Sequence, residues 1–163
     1  MSLYHLNVTL HVLAALLWLG GMFFLGVVGA PVLRKVEPPQ LRAQLFQQLG
    51  TAFRRVGWIS IGVLLATGTL NLYFRGMLDA QLFTAAYWRT PYGTSLAVKL
   101  GCVTAMLTLS AIHDFVHGPA ASRHRPGSAA AAAHRRQAAW MARANALIGI
   151  ILVFAAVRLA RGG

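Results

Sequence analysis

Apolar residues dominate four stretches of the chain, 8–33, 56–74, 96–115 and 144–157 with its flanks, and polar residues gather between them. A helix needs about 20 apolar residues to cross a hydrocarbon core of roughly 30 Å. The last two runs reach that length cleanly and the first two complete the set. With their polar ends added, the spans are predicted at about 3–33, 54–75, 94–117 and 136–160. The pattern predicts an all-α integral membrane protein: a single domain over residues 1–163, built as a four-helix, up–down transmembrane bundle. Residues 40–53 read differently. Leu41, Leu45, Phe46, Leu49 and Phe53 recur at helical spacing against Arg42, Gln44, Gln47 and Gln48. That pattern predicts a short amphipathic helix between spans 1 and 2, lying in the cytoplasmic interface or packed under the bundle. Gly118-Pro119 stops the third span, and the small, basic segment 122–133 reads as a loop.

Composition supports this reading: 57% of the 163 residues are hydrophobic and 11% are charged, against roughly 25% charged in soluble domains. The net charge of +12 could suggest nucleic acid, but the positive residues sit at the ends of the apolar runs. Arg34, Lys35, Arg42, Arg54, Arg55, Arg123, Arg125, Arg135, Arg136 and Arg143 fall on one side. Arg75, Arg89, Arg158 and Arg161 fall on the other. The positive-inside rule then puts both termini outside and the 34–55 and 118–140 loops in the cytoplasm, with no nucleic-acid partner. The lone Cys102 allows no internal disulfide. Residues 8–33 lack the basic start and cleavage site of a signal peptide and read as a retained first span.

One charge, Lys99, is left inside an apolar run. A charged residue mid-membrane costs about 2.5–3.5 kcal/mol on insertion scales and is a functional candidate, although its stem can also snorkel to the headgroups. At 1.5 Å per residue, His11 lies roughly 12 Å below the outer surface. Lys99 comes at similar depth, as does the polar face of span 2 carrying Thr67, Thr69 and Asn71. His11, Lys99, Thr67 and Asn71 are therefore the candidate pocket, in the outer half of the membrane. The acids of the chain are Glu37, Asp79 and Asp114, so Asp79 or a bound anion would have to balance Lys99.

At the other end of span 3, His113 and His117 are four residues apart, a spacing that lets two imidazoles share a metal. The structural alternative is an Asp114–Arg143 tie between spans 3 and 4. His5, His124 and His134 fall in exposed or terminal positions and read as solvated. Facing histidines for a bis-histidine haem are lacking in the outer half, leaving His11 with an unusual second ligand such as Lys99 as the haem arrangement. No serine or cysteine nucleophile arrangement and no phosphate loop is present, so no catalytic residue is assigned.

The runs HVLAALLWLGGMFFLG (11–26), FRRVGWISIGVLLATGTLNLY (53–73) and LFTAAYWRTPYGTSLAVKLG (82–101) resemble the CopD family of membrane proteins. The threonine-x-tyrosine-glycine turn and the following lysine–leucine pair match at Thr90, Tyr92, Gly93, Lys99 and Leu100. The resemblance implies an inner-membrane protein of copper uptake or homeostasis, acting beside a periplasmic copper-binding protein, with His11 as a metal ligand. A related superfamily member, the HemJ protoporphyrinogen oxidase, uses a first-span histidine and a third-span lysine, positions matched by His11 and Lys99. That likeness implies haem b, with iron on His11, Lys99 as second ligand or propionate partner, and quinone as electron acceptor. A third reading is an accessory subunit without metal, and a bundle this thin is a candidate for self-association.

Overall fold

A computed structural model of the chain describes residues 2–78, 80–117, 119–120 and 128–162. Among them the regular structure is entirely helical. We number the helices α1 (Leu3–Leu33), α2 (Pro39–Phe74), α3 (Ala85–Arg89), α4 (Pro91–His117) and α5 (Ala129–Ala160). Helices α1, α2, α4 and the Arg136–Ala160 part of α5 are long and apolar enough to cross a membrane. Helix α1 passes through two π turns, Leu16–Gly20 and Leu25–Gly29, without breaking, and α4 ends in another, His113–His117. Residues 122–127 of the expected 122–133 loop lie outside the described residues, and the rest of it is helical from Ala129 onward.

One expected element merges with its neighbour. Residues 40–53 are not a separate interfacial helix but the opening turns of α2, which runs for 36 residues. No proline follows Pro39 in this helix, and Gly50 is flanked by leucine, glutamine, alanine and arginine residues, good helix formers that carry the backbone through. Two members of the amphipathic stripe approach α1: Phe53 at Gly21 and Leu49 at Gly29.

The chain divides into two compact units, Met1–Leu82 and Phe83–Gly163. The first is an antiparallel hairpin of α1 and α2. The Tyr4 ring meets Phe74 edge-on at 6.1 Å, Asn7 and His11 reach Thr67, and buried Trp18 lies against Gly57. A Cβ on Gly21 would run into the Phe53 ring, so the helices close on a residue without a side chain. Small residues of this kind let helices approach in lipid, where packing and hydrogen bonds drive association.

The second unit is an antiparallel hairpin of α4 and α5. Asn145 Nδ2 donates to Ser110 Oγ at 2.9 Å, and nearer the turn His117 meets His134. The start of α4 explains the threonine–glycine part of the TPYG turn. Thr90 Oγ1 accepts from Gly93 N–H at 3.0 Å and donates to the Tyr87 carbonyl at 2.7 Å. It thus caps α4 with a side-chain oxygen, and Pro91 follows at the first helical position. A Cβ on Gly93 would collide with the same Tyr87 carbonyl.

Large apolar side chains such as Ile59, Val27 and Phe154 lie on the exposed surface, while Asn7, Ser60, Thr67, Ser95 and Asn145 are buried. This is the distribution expected of helices whose outer faces meet lipid and whose polar groups hydrogen-bond inside.

Candidate functional site

The densest polar cluster lies at the open end of the first hairpin. Asn7 projects one turn before His11 on α1, and Thr67 and Asn71 stand one turn apart on α2, so two i,i+4 pairs face each other. Asn7 Nδ2 donates to the Thr67 carbonyl at 3.0 Å and to Asn71 Oδ1 at 2.9 Å. His11 Nδ1 lies 2.8 Å from Thr67 Oγ1. That hydroxyl approaches the Val63 carbonyl to 2.6 Å, one turn back on its own helix. A hydroxyl has one proton, and a carbonyl can only accept. Thr67 therefore donates to Val63, and its oxygen accepts from His11 Nδ1–H. This assignment makes Nε2 the basic nitrogen of the His11 ring.

The packing holds that ring in place. Its Cε1 lies 3.5 Å from where a Cβ on Gly68 would sit, so a small residue at 68 makes room for it. Thr67 and Asn7 are buried and His11 is half-buried. The arrangement has the logic of a metal-binding histidine, in which one ring nitrogen is tied down so that the other is aimed and made more basic. The donor set offers one imidazole nitrogen among amide and hydroxyl oxygens. Among the described residues, no group of three or more histidine, cysteine, aspartate or glutamate side chains is gathered for a metal.

The other predicted residues lie in the second unit. Lys99 is half-buried on α4, with buried Ser95 one turn before it and half-buried Cys102 about one turn after. Asp79, the suggested counter-charge, lies outside the described residues, as does His124. At the far end of α4, His113 and His117 each have a contact of their own. His113 Nδ1 lies 2.8 Å from Asp114 Oδ1, and His117 Nδ1 lies 3.2 Å from Nδ1 of His134 on α5. The expected Asp114–Arg143 tie is not among the ion pairs of the described residues. Arg143 instead lies over the Trp140 ring, 5.3 Å from its centroid.

Two residues escaped the sequence reading. Asn7 lies four residues before His11 and so on its face, but nothing in the sequence showed that its amide ties α1 to α2. His134, read as solvated, is an inter-helix partner. The signal for it lay in hairpin register: His117 and His134 flank the turn between α4 and α5.

The family profile for copper resistance protein D matches residues 47–159. The chain belongs to the CopD family. With four helices able to cross a bilayer, this CopD-family chain is a multi-pass membrane protein. The matched region contains Thr67, Asn71, the capped Thr90–Gly93 turn and Lys99, and begins after His11. An uncharacterised protein of Aquifex aeolicus (strain VF5) is 30% identical over 154 residues, covering 94% of this chain and 92% of that protein. No solved structure matches the chain.

Proposed function

We propose that this protein handles copper in the inner membrane, taking the ion at the outer half of the bilayer through Nε2 of His11. The observation that carries the reading is the bond from His11 Nδ1 to Thr67 Oγ1 at 2.8 Å, backed by the Val63 carbonyl. It supports a ring presented in the tautomer that ligates through Nε2. Imidazole nitrogen suits copper, whereas the surrounding amide and hydroxyl oxygens bind it weakly. Copper would arrive on a periplasmic carrier and exchange onto His11, with water or a carrier group completing its coordination. The basic 34–55 and 118–140 segments support a topology with both termini outside.

The test is copper retention by the purified full chain after dialysis, read beside its visible spectrum. Wild-type protein should retain copper and show no Soret band, and His11→Ala should lose the metal. A Soret band that shifts on reduction and disappears in His11→Ala would replace copper with haem b. Retention unchanged in His11→Ala would remove the site.

A further inference from the structure

The contact between His117 and His134 belongs to neither the His11 cluster nor any pairing along one helix. His117 ends α4 in a π turn, and His134 lies in the second turn of α5. Their Nδ1 atoms are 3.2 Å apart, and the rings are inclined at 45° with centroids 5.5 Å apart. Two metal–nitrogen bonds of about 2.0–2.1 Å at a tetrahedral angle place their nitrogens about 3.3–3.4 Å apart. The two imidazoles thus already span one edge of a metal coordination tetrahedron. In that contact one Nδ1–H can donate to the other Nδ1 lone pair. A cation takes the place of the shared proton, because metal and proton compete for the same nitrogen.

We propose that His117 and His134 form a second metal site, a two-imidazole clip for a borderline transition-metal cation of the zinc, cobalt or copper class, at the turn end of the second hairpin. Both rings are half-buried, so the pair can be reached by an ion from outside. Such a site is exchangeable. It would also fasten the end of α4 to the start of α5, because a ligand that binds only the folded hairpin stabilises it.

The experiment titrates Co²⁺ into the full chain in detergent, following the d–d absorption of the bound ion, and uses Zn²⁺ in thermal unfolding. Wild-type protein should bind one equivalent of Co²⁺. His117→Ala and His134→Ala should each weaken binding by roughly tenfold or more, while His113→Ala leaves it unchanged. Zn²⁺ should raise the unfolding midpoint of wild type and not of His134→Ala. His134→Cys guards against a variant that fails only by misfolding: it should keep Co²⁺ and add thiolate-to-cobalt charge-transfer absorption that wild type lacks. The proposal is overturned if wild type takes up no Co²⁺, or if His134→Ala binds as tightly as wild type. It is equally overturned if His113→Ala loses as much affinity as His117→Ala, or if His134→Cys shows no charge-transfer band. Because His11 takes no part, failure here leaves the outer-half copper reading standing, and the converse holds.

Discussion

The two hairpins treat their inter-helix histidines in opposite ways. In the first, His11 meets a hydroxyl whose own proton is committed to a backbone carbonyl, and a second amide bridge lies one turn away. That chain of bonds assigns the proton to Nδ1 of the ring at the hairpin's open end. In the second, His117 meets another imidazole at the turn end, and either ring can be the donor. The first arrangement orients a ligand, whereas the second leaves a proton that a cation can displace. A histidine's chemistry is set by what holds its other nitrogen, not by its spacing along a helix.

The strongest break of this comparison comes from the frame of the second hairpin. Gly93→Ala pushes a methyl group into the Tyr87 carbonyl and should destabilise the protein by about 3 kcal/mol, the upper range of overpacking. A near-wild-type midpoint in detergent thermal unfolding would show that the capped turn yields. Next comes Thr67→Val, which removes the acceptor of His11 Nδ1–H. It should cost about 2 kcal/mol, the penalty of a stranded polar group. Copper retention should fall by roughly 10- to 100-fold, as when an outer-shell partner is removed. Stability lost with copper retention intact would separate structural from ligand-orienting roles.

A smaller effect is expected at the Asn145–Ser110 bond within the second hairpin. Asn145→Leu deletes the donor to Ser110 and should cost about 0.6 kcal/mol, the average for hydrogen bonds between membrane helices. The Asn145 Oδ1 is buried without a partner, which lowers the loss further. Of similar size is Arg143→Ala, where an exposed cation–π contact with Trp140 is worth about 0.5–1 kcal/mol. A loss several times larger, matched by Asp114→Asn, would instead reveal an ion pair between the two helices.

Part of this was readable from residues alone. Span positions emerge from hydropathy because crossing a bilayer is a bulk transfer property, summed over some 20 residues and insensitive to which neighbour each one meets. The start of α4 was equally local: a threonine, a proline and a glycine within four positions carry their own cap. Depth counting brought His11 level with Thr67 because helical rise is constant. Facing partners were not local. The merging of residues 40–53 into α2 depended on the absence of a helix breaker, together with packing of Phe53 and Leu49 on α1. His117 meets His134 because two antiparallel helices set the distance between their rings. Rotation of one helix about its axis leaves the hydropathy profile unchanged while exchanging every polar partner. The sequence by itself therefore determined which stretches are long and apolar enough to cross a membrane, and only the tertiary structure decided which imidazole meets which group.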